Sequence, residues 1–200
     1  MPVLGITGSI ATGKTSFTRA LLRCLPAELF DADLEVHGLL AHDPSIRSAI
    51  ETSFGSGFYS PSGEPERARL RDLIFSDQQK RQRLEAILHP PIRALWTARG
   101  ESARSHGTWF FVDLPLLYET GAESACDRVV VVACSRASQR RRLATDRGLD
   151  PETAARIIAA QLDIESKINR ADHLIWNDST VSCLDGQADL LAHWLSQSYG

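Results

Sequence analysis

The sequence predicts an α/β fold in which a doubly wound parallel sheet of about five strands carries helices on both faces. Two observations support this prediction. Short apolar runs rich in branched and aromatic residues recur along the chain, with helical patterns between them. The first of these runs leads through a glycine-containing loop directly into a helical pattern, an arrangement typical of sheets that bind ligands beyond the carboxyl ends of their strands.

The predicted strands are apolar runs short enough to cross a buried sheet once. They lie at residues 3–6, 109–112, 129–133 and 174–176, and a briefer strand ends at Phe30. Continuous apolar runs of this length are typical of parallel strands buried on both faces. The first helix is expected from about residue 14 to residue 25. Polar residues follow three of the strands, so we expect them to converge at one edge of the sheet.

Helical patterns replace strand patterns between residues 34 and 104, which predicts an insertion. Its helices are expected at residues 46–54, 66–75, 78–88 and 91–104. His89-Pro90-Pro91 is interpreted as the start of the last one, because proline is favoured in a first helical turn. Turn-forming residues at 55–63 predict an exposed loop. Two later short helices, one through residues 139–143 to a break at Gly148 and one over 151–160, suggest a lid.

We expect a single domain, because 200 residues of which 43% are hydrophobic can build one substantial core but hardly two. Residues 1–33, 105–135 and 172–200 form the predicted core, 34–104 the helical lobe and 136–165 the lid.

The formal charge of −3 predicts binding of neither nucleic acid nor a membrane surface, so any phosphate recognition must be local. The four cysteines are widely spaced, which predicts reduced thiols rather than a zinc site. The chain opens directly into a strand and has no long apolar segment, so we expect a cytoplasmic protein.

Residues 8–15, GSIATGKT, fit the phosphate-binding pattern G-x-x-x-x-G-K-[ST]. Gly8 and Gly13 allow backbone N–H groups to turn inward around phosphate oxygens. Lys14 is predicted to reach the β- and γ-phosphates, and the Thr15 hydroxyl to bind the magnesium that accompanies a nucleoside triphosphate. The alternative is an ordinary glycine turn, which the agreement of strand, spacing, lysine and hydroxyl disfavours.

Asp31 and Asp33 follow the second strand and have two equally supported interpretations. In extended geometry both carboxylates would point to the same side, where one of them could accept a proton from an attacking hydroxyl or hold magnesium through water. Alternatively, Asp33 caps the helical pattern at residues 34–40.

Asp113 ends the apolar run 109–112 and also has two interpretations. It resembles the acid that a second nucleotide motif delivers to magnesium. The alternative is an aspartate that opens the following turn.

Arginines 136, 140, 141, 142 and 147 form a basic run, which is either a phosphate clamp or a solvated helix face. Consecutive arginines on a helix point in different directions, so at most one or two can face a ligand. His89 is more simply explained by a helix start than by catalysis.

Taken together, these segments resemble the dephospho-coenzyme A kinase family over nearly the whole chain. The matching residues are Gly5-Ile6-Thr7-Gly8 through Gly13-Lys14-Thr15-Ser16, Asp31-Ala32-Asp33 with His37, Arg69-Leu70 leading to Ile74-Phe75, Leu84-Glu85, His89-Pro90 with Ile92, Asp113 through Glu119, Gln161, Lys167, Ala171-Asp172 and Asn177.

The resemblance implies a P-loop kinase core, a helical lobe that receives the acceptor, a small lid, and transfer of phosphate from ATP with Mg²⁺ to the ribose 3′-hydroxyl of dephospho-coenzyme A. It favours Asp33 as the general base. The implied catalytic residues are Asp33, Lys14, Arg142 and Arg147. Those implied for ATP are Gly8, Ala11, Thr12, Gly13, Lys14, Thr15, Ser16 and Asn177, and those for the acceptor are Asp33, His37, His89, Leu116 and Glu119. The metal residues are Thr15 and Asp113, and a monomer is expected.

Two departures from the family pattern concern the loop and the lid. Ser9 and Ala11 stand where the family usually has glycine, and the lid arginine is either shifted to Arg147 or supplied by Arg142. Two alternative functions remain. One is a P-loop kinase for another small hydroxyl acceptor. The other is a nucleotide-dependent switch, disfavoured because residues 169–172, which superficially resemble a guanine-reading motif, precede a strand.

Overall fold

A computed structural model of the chain describes residues 1–60, 62–66, 69, 70, 72 and 77–199. Its sheet has five strands, β1 Val3–Gly8, β2 Glu28–Asp31, β3 Phe110–Asp113, β4 Arg128–Ala133 and β5 His173–Trp176, in the order β2-β3-β1-β4-β5. β1 pairs in parallel with β3 and β4, and β4 pairs in parallel with β5. The predicted doubly wound α/β fold is therefore confirmed.

β1 lies in the centre of the sheet, and all six of its residues are buried. On one face of the sheet, Leu4, Ile6, Val130 and Val132 pack into a core cluster with the helices α1 (Lys14–Cys24) and α8 (Val181–Tyr199). Those helices contribute Phe17, Leu21, Leu184, Ala188, Leu191 and Leu195. Burial of this apolar surface holds the strand that precedes the phosphate-binding pattern rigidly in place.

The chain divides into two compact units, residues 1–30 with 99–200 and residues 31–98. The second unit contains α2 (Ala32–His42) and α3 (Pro44–Phe54). Asp43 caps α3 by accepting hydrogen bonds from the N–H groups of Ser45 and Ile46, and Pro44 occupies the first turn. Its own core consists of Leu40, Ile46, Ile50, Tyr59, Leu70, Leu84 and Leu88. Tyr59 is buried there, so the expectation of a fully exposed loop over 55–63 is wrong at this residue.

Helix α4 (Gln78–His106) runs through Pro90 and Pro91, so the predicted helix start at His89-Pro90-Pro91 is wrong. Two prolines remove two main-chain donors from a helix. However, Leu84, Leu88, Ile92 and Trp96 are buried at four-residue intervals on both sides of the prolines. This continuous apolar stripe outweighs the lost hydrogen bonds. The helix predicted at residues 66–75 falls largely outside the described residues.

Three helices lie between β4 and β5. α5 (Arg136–Arg147) has Ser135 as its N-cap and ends at Gly148, whose φ is 61°. The predicted break at Gly148 is therefore confirmed. α6 (Pro151–Ala159) and α7 (Ile164–Ile168) are capped by Asp150 and Asp163.

Strand β5 differs from the prediction of a buried strand. It lies at the edge of the sheet, where Leu174 and Trp176 are each 44% exposed and only Ile175 is buried. The Gln187 side chain from α8 binds both the N–H and the carbonyl of Trp176, which satisfies part of the open edge. In the described part of the chain, no helix is both long and apolar enough to cross a membrane.

Candidate active site

The loop between β1 and α1 contains both glycines of the phosphate-binding pattern, and both are sterically required. Gly13 has φ of 93°, a left-handed conformation that residues with a Cβ rarely adopt. A Cβ on Gly13 would overlap the Asn177 amide nitrogen, and a Cβ on Gly8 would overlap the Val132 carbonyl oxygen. The main chain at these positions is thus shaped as a phosphate cradle requires.

Ser9 and Ala11, where glycine was the expected family residue, are accommodated in different ways. Ala11 adopts φ of 59° and is the one non-glycine residue with positive φ in the described part of the chain. An alanine in this conformation costs roughly 1–2 kcal/mol. Ser9 is buried, and its hydroxyl is hydrogen-bonded on both its donor and its acceptor side. The loop therefore keeps its form although neither residue is glycine.

Two glutamines that were not among the predicted site residues bind the outer side of the loop. Gln161 Oε1 accepts hydrogen bonds from Ser9 Oγ at 2.8 Å and from the Ile10 N–H at 2.9 Å. Gln139 Nε2 donates to Ser9 Oγ at 3.0 Å and to the Ile10 carbonyl at 2.8 Å. The only signals in the sequence were that Gln161 matches the family and that Gln139 directly precedes Arg140.

Arg142 and Asn177, both predicted site residues, lie against the main chain of the loop. Arg142 donates to the carbonyl oxygens of Ala11 at 3.3 Å, Thr12 at 3.2 Å and Asn177 at 2.7 Å. The Asn177 amide donates to the Thr12 carbonyl at 2.8 Å. In this structure both side chains therefore position the loop. Their contacts with ATP stay predictions.

The remaining arginines of the basic run are exposed, as a solvated helix face requires. Arg147 is the last residue of α5, and Arg136 lies 3.4 Å from Asp163. These arginines therefore fit the solvated helix face, whereas Arg142 is bound to the loop and its contact with phosphate stays a prediction.

Lys14 and Asp113 form an ion pair that joins the loop to the end of β3. Strand pairing brings them together, because Asp113 lies opposite Ile6 of β1 in the sheet register. Their side chains are 15% and 9% exposed, so each charge needs a partner in place of water. Asp113 is thus bound to the lysine of the phosphate-binding pattern.

Oxygen donors suited to magnesium are present in this ion pair and in the residues that follow Lys14. Thr15 and Ser16 are exposed in the first turn of α1, and Asp113 supplies a carboxylate. Within the described residues, no three His, Cys, Asp or Glu side chains gather as a metal site. Magnesium bound with a nucleotide takes only one or two protein ligands, with phosphate and water oxygens completing the shell. Thr15 and Asp113 fit that pattern.

The first turn of α2 separates the roles of the two aspartates. Helix α2 begins at Ala32, and Asp31 is its N-cap, accepting the Leu34 N–H at 3.1 Å. The expectation that Asp33 caps this helix is therefore wrong, and so is the expected extended geometry for both residues. Asp33 and His37 are exposed one helical turn apart, on the same face of α2.

His89 and Leu116, predicted to bind the acceptor, are both half-buried. Burial in α4 lowers the pKa of His89 below its ordinary 6.5, although the nearby Glu85 carboxylate opposes that shift. His89 is therefore neutral at neutral pH. It can donate or accept a hydrogen bond there but carries no charge for a phosphate.

Glu119 forms an ion pair with a buried lysine. Its Oε1 lies 2.9 Å from the ammonium of Lys167, a fully buried residue, and accepts the Leu162 N–H at 2.9 Å. Lys167 also donates to the Pro115 carbonyl at 3.0 Å. Glu119 therefore fixes the segment that follows Gln161, and its contact with the acceptor stays a prediction.

Comparison with known proteins identifies relatives over most of the chain. A model of the dephospho-CoA kinase family matches residues 2–182. The chain is 40% identical over 195 residues to a dephospho-CoA kinase of Anaeromyxobacter dehalogenans, covering 96% of this chain and 90% of that protein. It is 37% identical over 190 residues to the dephospho-CoA kinase of Symbiobacterium thermophilum, covering 94% and 79%.

Solved structures share the fold over the whole chain. The crystal structure of TT1252 from Thermus thermophilus matches with a TM-score of 0.77 and 27% identity, covering 100% of this chain and 98% of that one. A shikimate kinase of Acinetobacter baumannii matches with a TM-score of 0.56 at 16% identity, covering 99% and 92%. The second match shows the fold alone.

Proposed function

The chain belongs to the dephospho-CoA kinase family, and we propose that its site performs the family's reaction. In this reaction the γ-phosphoryl group of ATP passes to the ribose 3′-hydroxyl of dephospho-coenzyme A, giving coenzyme A and ADP. The observation that carries the proposal is the loop at residues 8–15. Its two glycines are sterically required, and its lysine is paired with the aspartate at the end of the neighbouring strand.

The donor end of the reaction uses the loop and the start of α1. Main-chain N–H groups of the loop and the positive end of the helix bind the phosphates of ATP, with Ala11, Thr12 and Ser16 part of that cradle. On nucleotide binding, Lys14 exchanges its bond to Asp113 for phosphate oxygens. Asp113 and Thr15 would hold magnesium, which would supply charge neutralisation for the phosphates.

The acceptor end uses the first turn of α2. Because Asp31 already caps the helix, the carboxylate of Asp33 is available to orient the attacking hydroxyl and to take its proton. His37, one turn further on, is proposed to contact the same substrate. We propose His89, Leu116 and Glu119 as further residues that bind or support the acceptor.

The proposed reaction moves one phosphoryl group and one proton. The 3′-hydroxyl oxygen forms a bond to the γ-phosphorus, the bond from that phosphorus to the β,γ-bridging oxygen breaks, and the hydroxyl proton passes to Asp33. Negative charge spreads over the transferred group, and Lys14 with an arginine from α5 offsets it. Closure of residues 136–165 would exclude water, which competes as acceptor.

Acceptor dependence of ADP release tests this proposal. The purified protein is incubated with magnesium and ATP, alone or with dephospho-coenzyme A, shikimate or gluconate. We expect rapid ADP release with dephospho-coenzyme A only. Equal stimulation of ADP release by another small alcohol would favour a different kinase. In a parallel incubation with GTP in place of ATP, hydrolysis without any acceptor would favour a switch.

A further inference from the structure

The hydrogen bonds of Ile10 fix the orientation of two glutamine side chains. A main-chain N–H can only donate, so the Gln161 atom that faces Ile10 N must be the amide oxygen. A carbonyl can only accept, so the Gln139 atom that faces Ile10 O must be the amide nitrogen. The two amides therefore present opposite chemistry to the same residue of the loop.

The Ser9 hydroxyl completes this arrangement. It donates its proton to Gln161 Oε1 and accepts from Gln139 Nε2, so it links the two side chains. Ser9 is 7% exposed and Gln139 is 5% exposed, which leaves little water to replace either bond. A glycine at position 9 would leave the two amides without this link.

Gln161 is itself held in position by the neighbouring residue. The Leu162 N–H donates to Glu119, whose carboxylate is bound to the buried Lys167 ammonium. Lys167 and Thr7 both donate to the Pro115 carbonyl, beyond the end of β3. The bonds on the loop therefore continue into the sheet that carries Asp113.

We propose that Ser9, Gln139 and Gln161, here called the Ser9 clamp, are positioning residues that set the conformation of the phosphate loop and thereby its affinity for nucleotide. This inference rests on the proposed binding of ATP at the loop. The Ser9 clamp acts on Ile10, next to Ala11, the residue held at positive φ. The Ser9 clamp thereby maintains the phosphate cradle although an alanine side chain disfavours the positive φ of Ala11.

Opposite amide orientations make the two glutamines respond differently to the same substitution. Gln161→Glu keeps an acceptor for both donors, so the fold is preserved, but it adds a negative charge beside the phosphate cradle. Gln139→Glu places a carboxylate against the Ile10 carbonyl and loses both donated bonds. A role in stability alone would give Ser9→Ala, which adds no charge, normal nucleotide affinity while it remains folded.

The test measures the Kd for MgADP by calorimetry at 15 °C, together with melting temperature, for Ser9→Ala, Gln161→Glu and Gln139→Glu. We expect Ser9→Ala and Gln161→Glu to bind roughly tenfold more weakly while melting within about 2 °C of the wild type. Gln139→Glu should bind weakly and also melt roughly 4 °C or more lower. Gln197→Glu, an exposed change on α8 with the same added charge, is the control.

Steady-state kinetics gives an independent readout. We expect Ser9→Ala to raise the KM for ATP and leave kcat within about twofold, because a loop that binds ATP is still complete once ATP is bound. An MgADP affinity within twofold of the wild type for Ser9→Ala would overturn the inference. If the wild type binds MgADP but phosphorylates no dephospho-coenzyme A, the proposed function fails and the Ser9 clamp stands. If it binds no nucleotide, both fail.

Discussion

The phosphate loop and the first turn of α2 carry the two ends of the proposed transfer, and they are built differently. In the loop, main-chain and side-chain polar groups of residues 9–12 are bound to Gln139, Arg142, Gln161 and Asn177, which are buried or partly buried. At the start of α2, Asp31 caps the helix, and Asp33 and His37 are exposed. The donor end is thus organised before any ligand binds, whereas the acceptor end presents side chains to solvent.

This difference predicts how substitutions at the two ends should behave. Changes at the donor end should alter nucleotide affinity, often together with stability, because those side chains hold one another. Changes at the acceptor end should alter turnover and leave both stability and ATP affinity nearly intact, because exposed side chains contribute little to folding.

Replacement of Lys14 should have the largest effect. Lys14→Ala removes the charge proposed to stabilise the transferred phosphoryl group and leaves Asp113 without its cation. We expect kcat/KM for ATP to fall on the order of 10³-fold. Steady-state kinetics measures this fall, with Lys80→Ala, an exposed lysine on α4, as the control. Unchanged kinetics in Lys14→Ala would contradict the assignment of the loop.

Replacement of Asp33 should give the next largest effect and the sharpest contrast. Asp33→Asn removes the proposed base, so kcat should fall on the order of 10²–10³-fold while the KM for ATP stays within about twofold. Asp31→Asn is a matched control two residues away, because asparagine caps helices as well as aspartate does. Near wild-type turnover in Asp33→Asn would remove Asp33 from this role.

Arg142 and Arg147 are the two candidates for the arginine on the transferred phosphate. Their alanine variants should differ in which measured quantity changes rather than in the size of the change. Arg142→Ala loses bonds to three carbonyl oxygens, so we expect about tenfold weaker ATP binding and a lower melting temperature. Arg147→Ala removes an exposed side chain, so its melting temperature should be unchanged and kcat alone should fall about tenfold. If only Arg142→Ala lowered kcat at saturating ATP, Arg142 would be the arginine on the transferred phosphate.

Two half-buried histidines should give the smallest effect, one in each compact unit. Burial lowers the pKa of His89 and of His173 below 6.5. As pH falls below 6.5 the unfolded chain therefore binds protons first, and the free energy of unfolding declines until the folded pKa values are passed. Denaturant titrations between about pH 5 and about pH 7, a range that includes the ordinary histidine pKa, should show this decline. His89→Gln and His173→Gln should each flatten it, and an unchanged slope in both would contradict burial as its cause.

The loop was predictable from sequence because its signal is local. Glycine spacing, the preceding strand, Lys14 and Thr15 occupy adjacent positions, and the chemistry of phosphate binding constrains each of them. The parallel strands were predictable by the same logic, since apolar runs with polar ends define parallel strands and their carboxyl edge.

Other features depended on contacts that a local pattern does not contain. Both Asp31 and Asp33 are good caps, and only the folded chain shows that α2 begins at Ala32. Pro90 and Pro91 predict a helix boundary, but burial on either side of them keeps α4 continuous. Gln139 and Gln161 reach Ser9 across 130 and 152 positions, a distance over which periodicity carries no information.

We propose that the organised donor groups and the exposed acceptor groups together transfer phosphate to one hydroxyl. The most direct measurement is the position of the new phosphate after incubation with magnesium, ATP and dephospho-coenzyme A, determined by phosphorus–proton correlation NMR of the product. We predict phosphate on the ribose 3′ oxygen, formed by the wild type and far more slowly by Asp33→Asn. Phosphate at another position, or consumption of ATP with dephospho-coenzyme A unchanged, would contradict the claim.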